Sequence, residues 1–174
     1  LVTGASSGIG AHLAQTLAGY GHPVYATARK PEDLDRLGQV ENVMPLRMDV
    51  RDAGQVQEAL AIVQQAGHGL YGLVNNAGSG LLGPLNAWSD EALGDIFEVN
   101  VFGPHRVTNA FVRLLIESHG RIVNIGSQGG MITKRYYGPY SMTKHVLEAY
   151  TACLNEELRP YGVWACIVQP GGIA

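Results

Sequence analysis

The chain has 174 residues, with 12 basic and 15 acidic side chains for a net charge of -3, and 46% hydrophobic against 16% charged residues. At ~150 residues per domain this is one domain with enough apolar material for a core, which excludes disorder. So mild a charge does not suggest a nucleic-acid-binding face, and no apolar run approaches the ~20 residues of a membrane helix. Two cysteines, Cys153 and Cys166, exclude a disulfide scaffold and a Cys-rich zinc module. They fit a reducing compartment, so a cytoplasmic location is expected.

In chain order, Leu1-Val2 is the stub of a strand entering the Gly-rich turn Thr3–Gly10, and Ala11–Ala18 has helical character that Gly19 to Pro23 stop. Val24–Ala28 reads as a second strand, and Pro31–Leu37 as a short helix with Pro and acids in its first turn. Val43–Met48 is a third strand, and Asp52–Gln65 carries Val56, Leu60 and Val63 at helical spacing. Leu70–Asn75 is a fourth strand. Ser89, followed by Asp90 and Glu91, caps a long helix to about Ser118, with Pro104 as its kink. Ile122–Ile125, Tyr140–Arg159 and Trp164–Val168 follow as strand, helix and strand.

Strands that alternate with helices and are rich in Val, Ile and Leu argue for an α/β fold, a parallel sheet covered on both faces. Right-handed crossovers make it doubly wound, in three α/β/α layers. No repeat or linker divides residues 1–174, so a single domain is expected. The two-residue first strand, and a stop at Ala174 just after a strand and a Pro-Gly-Gly turn, raise the expectation that both ends are cut inside the fold. The cysteines, one in a helix and one in a strand, are expected to be buried thiols.

Glycine is in excess: 23 of 174 residues, about 13% against a usual ~7%. The excess gathers at junctions. The turn Thr3-Gly4-Ala5-Ser6-Ser7-Gly8-Ile9-Gly10 lies between a strand and a helix, where glycines let the backbone approach a pyrophosphate and the helix start supplies N–H groups. Composition alone would supply roughly 0.02 such matches in a chain of this size. Facing the adenosine ribose, a dinucleotide of the NAD type meets Asp or Glu at the end of the second strand, whereas Arg suits the extra phosphate of NADP. Here the segment is Ala28-Arg29-Lys30 with no acid before Glu32, so NADP is the expected cofactor, ahead of NAD. Asn75-Asn76-Ala77-Gly78 after the fourth strand gives small residues on which the cofactor could lie. Tyr140 and Lys144 stand one helical turn apart on one face, a spacing that chance supplies about 0.14 times here.

Thr3–Gly10, Asn75–Gly78, Ser127, Tyr140–Lys144 and Pro170-Gly171 occur in this order, with Ser127 13 positions before Tyr140. The set resembles the short-chain dehydrogenase/reductase family in its compact form, along essentially the whole chain. The resemblance implies a Rossmann-type domain that lacks its last strand and substrate lid, and hydride transfer between NADP(H) and a carbonyl or alcohol. Tyr140 would be the acid/base, Ser127 the residue that holds the substrate oxygen, and Lys144 the cation that eases proton loss from the phenol and binds the nicotinamide ribose. Asn100 would hold a relay water through its backbone carbonyl, and Pro104 fits a distorted segment there. Gly4, Ser6, Ser7, Gly8, Ile9, Gly10, Arg29, Asp49, Val50, Asn76, Ala77, Gly78, Pro170 and Gly171 would line the cofactor, Asp49 meeting the adenine amino group. A homo-oligomer through the long helix and the Tyr140 helix is implied in the same way.

Leu81-Leu82, Met131-Ile132 and Tyr136-Tyr137 are the residues expected near the substrate. Being mostly apolar, they suggest a lipophilic small-molecule carbonyl or alcohol, such as a steroid, retinoid or other bulky ketone, with neither nucleic acid nor membrane as partner. Two alternatives stay open: a non-catalytic NADP-sensing module, and a nucleotide-sugar epimerase, which shares Tyr-x-x-x-Lys but carries Thr-Gly-x-x-Gly-x-x-Gly. The six histidines show no metal-ligand spacing, and no metal is expected.

Overall fold

The computed structural model describes residues 1–172. Five strands, β1 (Val24–Ala28), β2 (Val43–Arg47), β3 (Gly72–Asn75), β4 (Arg121–Ile125) and β5 (Trp164–Val168), pair in parallel. Val2 bridges Ala26 on one side and Val74 on the other. The stub therefore joins the two halves, in the order β2-β1-Val2-β3-β4-β5. The chain winds outward to β2, returns, and winds outward again to β5. The reversal lies beside Val2, where doubly wound sheets open a crevice.

Two cores flank the sheet. On one face, Val56 and Val63 of α3 (Ala53–Ala66) and Phe111 and Leu115 of α5 (Gly103–Glu117) pack on Leu73 and Ile122, and Val163 closes the end below α6 (Gly138–Leu158). On the other, Ala14 and Ala18 of α1 (Gly8–Gly19) and Leu37 of α2 (Pro31–Leu37) cover Val2, Ala26 and Val74. The small residues of α1 are what allow that helix to lie close on the strands. Asp52 caps α3 by accepting from Gly54 N and Gln55 N, and Ser89 caps α4 (Asp90–Phe97) by accepting from Ala92 N. Such caps contribute about 1 kcal/mol each.

Three expectations change. The first helix begins at Gly8, three residues before the expected Ala11, because the glycine-rich turn itself winds into the helix. The long helix from Ser89 is not a continuous rod kinked at Pro104: α4 passes into a widened π-helical turn, Glu98–Phe102, before α5. Pro104 has no N–H to give the carbonyl four residues back, that of Asn100, and its ring crowds that carbonyl. The ladder shifts by one residue instead, with Gly103 N donating to Glu98 O. Finally, both cysteines are exposed, not buried. Cys153 lies off the α6 stripe that carries Leu147 and Thr151 inward, and Cys166 alternates with buried Ala165 on β5, on the face that α6 leaves open. No helix among the described residues is long and apolar enough to cross a membrane.

Candidate active site

The glycine-rich turn is tied to the end of β3 by two side chains. Thr3 Oγ1 accepts from Asn76 N and Ala77 N, each at 2.9 Å. In return Asn76 Nδ2 donates to Thr3 O (2.9 Å) and Gly4 O (3.0 Å). The packing is so close that a Cβ on Gly10 would fall 2.4 Å from Asn76 Nδ2 and 2.5 Å from Gly4 O. Gly8 differs: its φ is +57, in the left-handed region, and a Cβ there would meet nothing within 4 Å. Ser7, at the start of α1, makes no side-chain cap bond. The first amides of α1 thus open beside a bare glycine onto free space, a cradle that fits a phosphate. The donor set and the missing Cβ both suit a dinucleotide.

At the carboxyl end of β4, Ser127 is extended and its Oγ accepts from Gly129 N at 3.0 Å, which leaves the hydroxyl hydrogen free to point outward. Tyr140 enters from the first turn of α6. Cβ atoms on Gly129 and Gly80 would lie 3.3 Å and 3.5 Å from its ring, so the glycines make the slot the ring occupies. One turn on, Lys144 is buried, its Nζ donating to Ile125 O at 2.7 Å and lying 5.7 Å from the Tyr140 ring centroid. Burial lowers the Lys144 pKa to about 8. Asn100, 1% exposed, spends its whole side chain on positioning. Its Oδ1 accepts from Ser79 N, while Nδ2 donates to Ser79 O and to Thr143 Oγ1, which in turn donates to Tyr140 O. The π-helical turn, the loop after β3 and the start of α6 are thereby held together.

These groups face one cavity of about 1130 Å³. Gly8, Ile9, Asn76 and Gly78 line it from the glycine-rich turn and β3, and Ser127, Tyr140, Lys144, Pro170 and Gly171 from β4, α6 and the end of β5. Leu82, Ile132 and Tyr137 line it as well, the first two still largely exposed, whereas Leu81, Met131 and Tyr136 do not line it. Gly4, Ser6, Ser7, Gly10, Ala77 and Asn100 are not on the wall: Gly4, Gly10, Ala77 and Asn100 brace it from behind. Val50 is buried against Gly103, where a Cβ would come 2.7 Å from Val50 Cγ2. Sequence reasoning missed His12, Gln128 and Lys134, all cavity-lining. His12 had a signal, since it lies one helical turn beyond Gly8.

The Arg29 and Asp49 end lies apart from that cavity. Arg51 grips Asp49 with two bonds, Nε to Oδ1 at 3.1 Å and Nη2 to Oδ2 at 2.7 Å, and Arg29 approaches the same carboxylate at 3.9 Å. The Arg51 guanidinium holds the Asp49 carboxyl below its ordinary range. Arg36 of α2 reaches Ser6 O and Asp33. Arg36 and Arg51 were not anticipated. Among the described residues no cluster of His, Cys, Asp and Glu could hold a metal.

The family model described as short chain dehydrogenase matches residues 1–174. A 3-amino-tetrahydro-pyrrolizinone reductase from Xenorhabdus hominickii is 35% identical, across 99% of this chain and 60% of that protein. A short-chain dehydrogenase structure from Streptomyces avermitilis superposes with a TM-score of 0.94 at 36% identity, covering 99% of this chain and 65% of that one. A variant of actinorhodin polyketide ketoreductase with NADPH also gives 0.94, at 34% identity, covering 99% and 69%. The chain thus spans about 60% of the length of the reductase it matches.

A lysine whose folded pKa is depressed stabilises the fold least when it is charged. Its penalty is complete below about 8 and vanishes as the pH climbs to the unfolded value of 10.5. Urea unfolding of the wild type and Lys144→Met between pH 7 and 10.5 should therefore show the difference moving in favour of the wild type as pH rises. A pH-independent difference would mean that Lys144 titrates at its ordinary value.

Proposed function

The chain belongs to the short-chain dehydrogenase family, and from that premise we propose that it is the catalytic core of an NADP-dependent oxidoreductase acting on an apolar carbonyl or alcohol. The observation that carries the reading is the convergence of Ser127, Tyr140 and Lys144 on a cavity that the N-terminus of α1 also faces. The bound nicotinamide would supply or accept the hydride. Everything else is done by side chains. The Ser127 hydroxyl, oriented by Gly129 N, donates to the substrate oxygen and stabilises the charge that develops there. Tyr140 gives that oxygen its proton in the reducing direction and takes it back in oxidation. Charged Lys144 favours the phenolate left behind, and the Asn100 backbone carbonyl, to which Pro104 has no N–H to give, would hold a relay water.

Preference for NADP is supported by the basic rim. No carboxylate ends β1, and the exposed Arg29 stands there with Lys30. The structural relative with NADPH agrees with this reading. An apolar substrate is supported by Leu82 and Ile132 on the cavity wall. A second copy of the chain is a fitting partner: Phe102, Met142 and Val146 are exposed on the π-helical turn and α6, so the faces implied by the resemblance carry apolar surface. Two free thiols accord with the cytoplasm. The Xenorhabdus and Streptomyces relatives and the polyketide ketoreductase are reductases and dehydrogenases, which lends no support to an epimerase or a non-catalytic sensor.

Following NADPH absorbance with a panel of apolar ketones tests the reading, and no turnover with NADPH or NADH would refute it. Tyr140→Phe should lower kcat by roughly 10²–10⁴-fold while cofactor affinity is kept; retained turnover would show that another group is the acid. Arg29→Ala should weaken NADPH binding by roughly tenfold and leave NADH unchanged. Equal effects on the two would remove Arg29 from the phosphate site.

A further inference from the structure

The cavity wall carries side chains of basic type and, among the described residues, no carboxylate. The basic ones are His12, Lys134 and Lys144. Two of these have work assigned by the proposed oxidoreductase function, which a role for Lys134 in substrate choice presupposes. His12 stands on α1 with Gly8 and Ile9, at the cradle for the cofactor phosphates. Lys144 is buried, with its ammonium on Ile125 O beneath Tyr140. Lys134 remains. It is exposed and has neither an ion pair nor a side-chain hydrogen bond among the described residues. The next cation, Arg135, is already occupied, its guanidinium lying 5.4 Å from the Tyr136 ring centroid.

The segment that presents Lys134 is held in place. Tyr137 N donates to Lys134 O at 3.1 Å and closes a turn, inside which Tyr136 takes φ +70, a left-handed conformation that a bulky residue adopts only under constraint. The constraint is visible: Tyr136 O accepts from Gly83 N at 2.9 Å, which ties this turn to the loop after β3. Lys134 thus belongs to the wall made by the loops after β3 and β4, with Leu82 and Ile132, and not to the glycine-rich turn that faces the cofactor. A cation without a partner, standing beside aliphatic side chains on a cavity with no acid, selects for an amphipathic anion.

We infer that Lys134 is a specificity-determining residue, and that the substrate is a carbonyl compound whose apolar body ends in a negatively charged group. A carboxylate and a sulfate share the required chemistry. The apolar body of the proposed substrate is kept, and a charged terminus is added to it.

The test is calorimetric titration of the NADP-loaded protein with three aliphatic ketones of one chain length, ending in a carboxylate, a sulfate or a methyl ester. Both anions should bind about fivefold more tightly than the ester, as a partly exposed ion pair allows. The stronger anion names the terminal group. The advantage should shrink as salt is raised, disappear in Lys134→Met and return in Lys134→Arg. The inference is overturned if neither anion binds, if the ester binds the wild type as well as they do, or if Lys134→Met keeps the preference. It is also overturned if Lys134→Met weakens NADPH binding instead. Turnover of the same ketones is read in parallel by NADPH absorbance. Selective binding without turnover would refute the oxidoreductase reading and leave Lys134 as the residue that selects the anion.

Discussion

The structure turns on the knot between Thr3, Gly4, Gly10 and Asn76. One threonine hydroxyl accepts two amides from the end of β3, and one asparagine amide donates to two carbonyls of the glycine-rich turn. Because Gly10 leaves no room for a side chain between them, the first turn of α1 is drawn down onto the sheet at the point where the strand order reverses. This single close approach has two consequences. The helix N-terminus is aimed along the crevice, and Gly8, on the open side of the turn, presents its amide to the space where a phosphate would lie. Asn76 serves both parts, bonding the turn and lining the cavity, while Thr3, Gly4 and Gly10 brace it from behind.

The reacting side is built on a comparable division of labour. Pro104 disrupts the helix four residues upstream, and the widened turn that results carries buried Asn100 against the loop after β3 and the start of α6. Asn100 does not reach the cavity. It fixes where Tyr140 and Ser79 stand relative to each other. Lys144 pays for its place in burial, which lowers its pKa to about 8, and its ammonium stays in position through the Ile125 carbonyl. An alkyl chain of that length threads the core so that one charge can stand under the Tyr140 ring.

The elements read most clearly from the sequence are those whose signals are local. Val24–Ala28 and Trp164–Val168 have the expected bounds, and Asp52 and Ser89 cap helices from within two or three residues. Tyr140 and Lys144 stand one helical turn apart, but they and Ser127 were legible as a site only through the order of the motifs and the family that order resembles. What escaped depends on distant partners. The π-helical turn lies upstream of the proline that causes it. Cys166 is exposed because no helix covers that face of β5 among the described residues, a fact no window around Cys166 contains. The Asn100 clamp spans 21 positions to Ser79 and 43 to Thr143. Lys134 carries no motif in the sequence, and only the fold places it on a wall with no acid among the described residues.

Calorimetric binding of NADPH to the wild type and to Gly10→Val tests the central claim most directly, with circular dichroism confirming that both are folded. The knot requires stoichiometric binding by the wild type, and loss of that binding in a folded Gly10→Val, because the added side chain must push α1 off Asn76 and Gly4. Undiminished NADPH affinity in the folded variant, or no binding by the wild type, would contradict the account.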